Sequence, residues 1–144
     1  MPFAFTIDTS RRLVLSRGWG VLTDRELVAH VRALAQDPRF RPDLHQLCDF
    51  VDVTDVKVTA SGVREMTGLN PFGAGARRAM AVSSDVAYGM ARMYQIMRED
   101  APDEVEVFRD IDAALEWLGV AEAKTELLRT LSELPPLPDA GRGK

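Results

Sequence analysis

The stretch "DVTDVKVTASGVREM", Asp52–Met66, contains a change from strand to helix on which the predicted fold depends. It begins as the end of a strand, continues as a loop, and reaches Thr59, Ser61 and Gly62 where a helix begins. Hydroxyl side chains are favoured at such a position because the first N–H groups of a helix have no partners within the helix. The stretch therefore predicts a strand-to-helix junction. A helix cap, a ligand cradle and a phosphorylation switch are the three roles open to it.

Two strands are predicted before this junction. Residues Phe3–Asp8 alternate between apolar and polar side chains, which is typical of a half-buried strand. Thr9–Arg12 is predicted to be a turn, and Arg12–Gly20 a second strand. Together they predict an N-terminal β-hairpin.

The segment between the hairpin and the junction predicts one helix and one buried strand. "TDRE", Thr23–Glu26, fits a capping box, and Pro38 ends the helix that follows. His45–Val53 is nearly continuous in apolar residues, which indicates a strand buried on both faces, as in the centre of a parallel sheet. After it, Thr59 or Ser61 caps a helix that runs to about Thr67.

The remaining elements alternate between strand and helix. We expect Gly68 to end the second helix in the C′ position. Capping serine and aspartate residues and apolar spacing predict the rest: a strand Arg77–Ser83, a helix Asp85–Asp100 capped by Ser84, a strand Val105–Asp110, a helix Ile111–Leu118 capped by Asp110 and interrupted by Gly119, and an amphipathic helix Val120–Leu134.

The order of elements predicts an α/β fold with a mixed sheet of four to five strands. The N-terminal hairpin is antiparallel, and the βα units that follow should be parallel with right-handed crossovers, with helices packed on the sheet. The predicted organisation is a domain over residues 1–119, a C-terminal amphipathic helix over 120–134 and a disordered tail over 135–144.

Composition excludes several classes of function. The 144 residues are 46% hydrophobic and 28% charged, with a net charge of −4, which argues against nucleic acid as a partner. The start, "MPFAFTID", lacks a charged leader and a long apolar run, and no apolar run reaches the ~20 residues of a membrane span. We therefore expect a cytoplasmic protein, with peripheral membrane contact and homodimerisation left open.

Three segments resemble the SpoIIAA-like branch of the STAS domain superfamily, also grouped as STAS/SEC14-like bacterial proteins. The segments are "DVTDVKVTASGVREM", "NPFGAGARRAMAVSSDVAYGMARMYQ" (Asn70–Gln95) and "VEVFRDIDAALEWLG" (Val105–Gly119). Ser61-Gly62-Val63 is similar to part of the D-S-S-G-L helix start of the anti-sigma-factor antagonists. The resemblance implies a STAS/SpoIIAA-like fold and a small regulatory or binding module. Apolar-ligand binding and membrane association are expected of this group.

The resemblance makes Thr59 and Ser61 the candidates for regulation. In the switch proteins the first serine of D-S-S-G accepts a phosphate from a partner kinase. Ala60, which has no hydroxyl, stands at that position here, Thr59 replaces the acidic residue, and Ser61 matches the second serine. We expect a plain helix cap. Phosphorylation of Ser61 or Thr59 stays open, because a phosphate would gain from the helix dipole.

Ser83 and Ser84 are candidates for binding an anion. They lie at the carboxyl end of a predicted parallel strand and open a helix, and ligands of open α/β sheets favour that edge. Asp85 competes for the same N–H donors, so a helix cap is the preferred interpretation.

The third predicted helix is rich in methionine. Val86, Met90, Met93 and Met97 fall on one helical face, which predicts first of all a core stripe. Methionine is adaptable, so the same wall suits a variable apolar ligand between helix and sheet. The remaining ligand-binding candidates on or near this helix are Phe72, Tyr88 and Tyr94.

"GAGARR", Gly73–Arg78, places two glycines beside two arginines. It lacks the order of a phosphate-binding P-loop and precedes a strand instead of following one. Arg77 and Arg78 are candidates for an anionic lipid headgroup, and exposed charges at the entry to a strand are the plainer interpretation.

Catalytic and metal-binding motifs are missing from the sequence. His30 and His45 lack a metal spacing, Cys48 lies in a predicted buried strand, and no G-x-S-x-G elbow is present. We expect no cofactor and no metal. The predicted function is a non-enzymatic binding or regulatory module for a protein partner or an apolar, lipid-like ligand. A serine-dependent hydrolase and a phospho-switched anti-sigma-factor antagonist remain as alternatives.

Overall fold

A computed structural model describes residues 2–137 and shows a five-stranded mixed sheet in the spatial order β1-β2-β3-β4-β5. The strands are β1 Phe3–Asp8, β2 Leu13–Thr23, β3 His45–Lys57, β4 Arg77–Val82 and β5 Glu104–Phe108. β1 and β2 pair antiparallel, and each later strand pairs parallel with its predecessor. The predicted α/β class, the N-terminal hairpin and the parallel βα units are confirmed.

Within residues 2–137, five α-helices cover both faces of this sheet. They are α1 Asp24–Gln36, α2 Ala60–Leu69, α3 Asp85–Met97, α4 Ile111–Leu118 and α5 Lys124–Ser132, with a 3₁₀ turn at Ala121–Ala123. Side chains of successive strand residues point to opposite faces. In β3, Leu47 packs with the residues of α4 and α5, and Cys48 packs with those of α3. Helices α1, α2 and α3 therefore lie on one face, and α4 and α5 on the other.

Pairing between β2 and β3 makes both strands longer than the sequence predicts. β2 continues to Thr23 and β3 to Lys57, and these two residues are partners in the parallel register. The stretch Asp52–Lys57, predicted to include a loop, is therefore strand. Each of the two strands supplies the hydrogen bonds that extend the C-terminal end of the other, although they are distant in the sequence. The register shifts between Arg17 and Trp19 and between Gly20 and Val21.

Helix ends differ from prediction in three helices, and α5 spans Lys124–Ser132 after the 3₁₀ turn instead of Val120–Leu134. Gly68 does not end α2: the helix continues to Leu69 and its C-cap is Asn70, with no left-handed residue at Gly68. Helix α3 ends at Met97, three residues before the predicted Asp100. Gly119 does adopt the left-handed conformation that ends α4, with φ of 77°.

The C-terminal segment packs on the sheet. Leu127 and Leu131 of α5 are each 1% exposed and lie in the same core as Leu13 of β2. Of the predicted tail, residues 138–144 lie outside the described residues. Within the described part, the backbone N–H of Leu137 donates to the carbonyl oxygen of Phe3 at 2.8 Å.

Candidate functional site

A cavity lies between the sheet and helices α1, α2 and α3. Its volume is about 80 Å³, measured as the space that the centre of a water molecule can occupy. Each enclosed water needs ~10–15 Å³ on this measure, so the space corresponds to roughly six waters. Its wall is mainly apolar and includes Leu27, Val53, Val63, Met66, Met80 and Met90.

The core face of α3 explains why space remains here. Ala87, Ala91 and Tyr94 are the residues of this helix that are buried, at i, i+4 and i+7. All three line the cavity, and the two alanines have side chains too short to fill the gap to the sheet. Protein interiors are otherwise packed as densely as organic crystals, so an opening of this size is a distinctive feature of the fold.

A chain of buried polar side chains forms one part of the cavity wall. Nε of Arg78 donates to Oε1 of Gln46 at 2.9 Å, and Nε2 of Gln46 donates to Oγ of Ser16 at 3.0 Å. Oγ of Ser16 lies 2.8 Å from Nε2 of His30. His30, Gln46 and Arg78 line the cavity, and all four residues are at most 5% exposed.

The hydrogen bonds of this chain fix the orientation of the Gln46 amide. The arginine can only donate, so Oε1 of Gln46 faces Arg78 and Nε2 of Gln46 donates to Ser16. Oγ of Ser16 still has its hydrogen and a second lone pair for Nε2 of His30, so the direction of that hydrogen bond follows the tautomer of the imidazole. Burial, and secondly the charge of Arg78, lower the pKa of His30 to about 3, so the imidazole is neutral.

Arg78 is also the centre of a buried ionic cluster. Its Nη1 donates to Oδ2 of Asp103 at 3.0 Å and to the Tyr94 hydroxyl at 2.9 Å. Nη2 of Arg98 donates to the carboxylate of Asp103 and, at 2.9 Å, to its carbonyl oxygen. Asn70 donates to Asp103 as well, at 3.0 Å. Two guanidinium groups thus share one carboxylate away from water.

Arg78 and Arg77, predicted together as headgroup contacts at the entry to a strand, lie in different surroundings. Arg78 is 5% exposed and packs over the Phe72 ring at 4.4 Å, so the plainer interpretation of it as an exposed charge is wrong. Arg77 is partly exposed, and its guanidinium lies 4.2 Å from the centre of the Trp117 ring. The difference arises because strand neighbours point to opposite faces.

The structure divides the predicted ligand-binding residues into two groups. Met90 and Tyr94 line the cavity. The others do not line it: Phe72 packs edge-on against Phe40, Tyr88 packs under Arg109, Met93 packs against the cluster of Val63, Tyr94 and Val105 from outside the cavity, and Met97 is exposed.

The predicted core stripe of α3 is wrong in its rotation about the helix axis. Val86 and Met97, its two ends, are 61% and 39% exposed. The buried residues are instead the neighbouring Ala87, Ala91 and Tyr94. Helix α3 carries apolar residues on most of its surface, so its sequence pattern does not specify which side packs on the sheet.

Ser83 and Ser84 have structural partners. The hydroxyl of Ser83 donates to the carbonyl oxygen of Val51 at 2.7 Å. Ser84 is the N-cap of α3 and accepts from the N–H of Ala87 at 3.1 Å, which confirms the predicted cap. Each hydroxyl is thereby held at the end of a strand or helix, outside the cavity.

Thr59, and not Ser61, is the N-cap of α2. Its hydroxyl accepts from the N–H of Gly62 at 3.0 Å and donates to Oδ2 of Asp24 at 2.6 Å. The N–H of Thr59 donates to Oδ1 of Asp24 at 2.9 Å. A Cβ at Gly62 would lie 2.0 Å from Oδ1 of Asp24, so a larger residue there would displace this carboxylate from Thr59. Ser61 is exposed beside this clasp between α1 and α2.

Cys48 and Asp49 are neighbouring ionisable residues that are buried on opposite faces of the sheet. Cys48 lines the cavity, and burial raises the pKa of its thiol to about 12, so it stays protonated as a small apolar side chain. The Asp49 side chain is on the opposite face. Burial raises the pKa of this carboxyl above its usual range, and the N–H of Val51 donates to it at 3.1 Å.

Four residues of the site were not predicted from the sequence: His30, Gln46, Arg98 and Asp103. A polar residue inside an apolar strand, such as Gln46 in "HQLCDF", is a pattern that indicates a buried polar site. Asp103 and Arg98 lie in the connection after α3, where charged residues are ordinary. Among residues 2–137, no group of three histidine, cysteine or acidic side chains is placed to hold a metal ion, and no helix is long and apolar enough to cross a membrane.

The chain matches no protein-family model and no curated protein. Among solved structures it is similar to an uncharacterized DUF3478-family protein with a SpoIIAA-like fold from Shewanella loihica PV-4. The two share 20% sequence identity with a TM-score of 0.51, over 81% of this chain and 93% of the other. This likeness confirms the predicted SpoIIAA-like fold.

Proposed function

We propose that this protein is a non-enzymatic binding module that takes a small, mainly apolar ligand between its sheet and helices α1, α2 and α3. The observation that carries the proposal is the cavity itself, with its apolar wall and a few inward polar groups. That combination is the usual character of a small-molecule site. The proposed fit is a ligand whose chain lies against Met66, Met80 and Met90.

The methionines support binding of more than one shape of ligand. Met66 of α2, Met80 of β4 and Met90 of α3 come from three different elements and meet at the cavity. Unbranched thioether side chains change rotamer at little cost, so such a wall adapts to its contents.

The hydroxyls predicted for a hydrolase give that alternative little support. Ser83 donates to a backbone carbonyl and Ser84 caps a helix, so neither is paired with a base. Ser16 does lie beside His30, but it is fully buried and is not among the residues that line the cavity. A protein partner and a phosphorylation switch stay predictions.

The test is to purify the full chain from its own host and identify co-purifying small molecules by native mass spectrometry. Ala91→Leu fills the cavity from α3, and we expect it to remove the bound molecule. Val86→Leu is the matched control, since Val86 lies on the same helix and is 61% exposed. A molecule retained equally by both variants, or no bound apolar molecule in the unaltered protein, would contradict the proposal.

A further inference from the structure

The buried cluster beside the cavity has more positive than negative charge. Arg78, Arg98 and Asp103 are each at most 6% exposed, and two of them are cations. His30 is neutral, and Asp49 points to the opposite face of the sheet. The cluster therefore holds one positive charge without a partner. An uncompensated buried charge is costly for a protein to maintain.

Arg78 has hydrogen-bond donors to spare at the cavity. Its Nε is used by Gln46, and its Nη1 is shared by Asp103, Tyr94 and Asn70. Within the part of the chain that the structure describes, no hydrogen bond uses its Nη2. Since Arg78 lines the cavity, a ligand there lies next to a guanidinium with open donors. Guanidinium groups bind carboxylates strongly and with a defined geometry.

The rest of the cavity is unsuitable for a charged group. Its other polar members, Gln46, His30 and Tyr94, already take part in the hydrogen-bonded chain around Arg78. Beyond them the wall is formed by aliphatic and methionine side chains. A ligand that matches both parts has one anionic end and one apolar end.

We infer that the ligand of this cavity is a small apolar carboxylate, whose anionic head group lies at Arg78 and whose chain extends along the methionine wall. This inference rests on the proposed binding function. The cavity volume corresponds to roughly six waters of ~30 Å³ each, the size of a chain of about six carbons with its carboxylate. The cavity is partly open to solvent, so a longer chain would extend out of it.

Three probes of equal length test the charge: hexanoate, hexan-1-ol and hexylammonium, titrated at pH 7.5 into the full-length protein and followed by NMR chemical shifts. We expect hexanoate to bind at least tenfold more tightly than hexan-1-ol, and hexylammonium not to bind. Equal affinities for hexanoate and hexan-1-ol would overturn the inference and leave the apolar binding function intact. Binding of no probe would overturn the proposed function and the inference with it.

A second measurement uses Gln46→Glu, which places a carboxylate beside Arg78 with almost no change of shape. We expect the ratio of hexanoate to hexan-1-ol affinity to fall at least tenfold. Arg77→Gln removes one positive charge from the neighbouring residue outside the cavity, and should leave the ratio within about twofold. A ratio unchanged in Gln46→Glu, or lowered equally in Arg77→Gln, would overturn the role of Arg78. Circular dichroism of each variant checks that it is folded.

Discussion

The two faces of the sheet are built differently. The face under α4 and α5, the packed face, contains large aliphatic side chains at 1% exposure or less, among them Leu13, Leu15, Leu47, Leu115, Leu127 and Leu131. The face under α1, α2 and α3, the cavity face, has alanines on the buried side of α3, an opening and a buried polar cluster. One sheet thus supports close packing on one side and leaves space and charge on the other.

Because of this difference, the packed face contributes mainly to stability, and the cavity face is the one proposed to bind a ligand. Close-packed leucines contribute to stability through apolar area removed from water and through dispersion contacts. The cavity face gives up part of that contribution and replaces it with groups that are costly to bury without partners. We therefore expect changes on the packed face to affect unfolding alone, and changes on the cavity face to affect both unfolding and ligand binding.

Removal of the shared carboxylate should have the largest effect on the cavity face. Asp103→Asn leaves Arg78 and Arg98 buried with no counter-charge, and breaking such a pair costs about 3–5 kcal/mol. Urea unfolding measures the loss. Glu104→Gln is the control, since Glu104 is exposed and lies 3.9 Å from Arg77. A loss below 1 kcal/mol in Asp103→Asn would show that the cluster is not needed for stability.

Truncation of a leucine on the packed face should come next. Leu127→Ala removes a side chain that is 1% exposed, and we expect a loss of about 2–5 kcal/mol because the dense surroundings cannot collapse into the gap. Met90→Ala, which borders an existing opening, should cost only about 1 kcal/mol. Equal losses in the two variants, measured by chemical unfolding, would remove the distinction between the faces.

Acid should weaken the cavity face through His30. Its pKa is about 3 in the folded protein and about 6.5 when unfolded, so its contribution is complete above pH 6.5 and is lost as the pH falls toward 3. The slope reaches at most about 1.4 kcal/mol per pH unit for one proton. Between pH 6.5 and 5, His30→Gln should show a smaller slope than the unaltered protein.

His45 provides the control for this measurement. Burial, and secondly the charge of Arg77, also lower the pKa of His45, but this residue is only partly buried, so His45→Gln should reduce the slope less than His30→Gln does. Stability of the unaltered protein that does not change over the same pH range would indicate that His30 is already accessible to protons in the folded state.

The smallest effect is expected at the clasp between α1 and α2. Thr59→Ala removes the N-cap and the contact to Asp24, which should cost about 1 kcal/mol. Ser61→Ala, at an exposed side chain, should change stability by less than about 0.5 kcal/mol. We expect phosphopeptide mapping of the native protein to find neither residue modified. Substantial phosphate at Ser61 or Thr59, with a partner lost in Ser61→Asp, would assign the junction a regulatory role.

Local patterns in the sequence were sufficient for the elements and their order. Alternation predicts β1, and the caps at Ser84 and Asp110 follow from short side chains that accept from an N–H three residues away. These interactions involve near neighbours, so the sequence contains all of their participants. The order of elements then leaves few topologies, because parallel crossovers are right-handed and short. That is why the mixed sheet was predicted correctly.

Most residues of the candidate site could not be predicted from these local patterns. The methionine-rich sequence of α3 predicts a wall between helix and sheet, but of the predicted stripe only Met90 lines the cavity, Met97 is exposed and Ala91 is buried. Which side of an apolar helix faces the sheet depends on its packing against other elements, and the sequence of the helix does not specify it. The sequence favours an exposed charge at Arg78 because the partners of Arg78 are not adjacent in the chain.

Local sequence patterns are therefore enough for the order of the elements, several N-caps and the mixed character of the sheet, whereas only the folded chain shows which polar groups are buried together. Arg78 meets Gln46 from 32 residues away and Asp103 from 25 residues away. His30 reaches Ser16 across 14 residues. The physical reason is that secondary structure follows from interactions within a few residues, whereas burial of a charge is tolerated only where distant segments bring its partners to it.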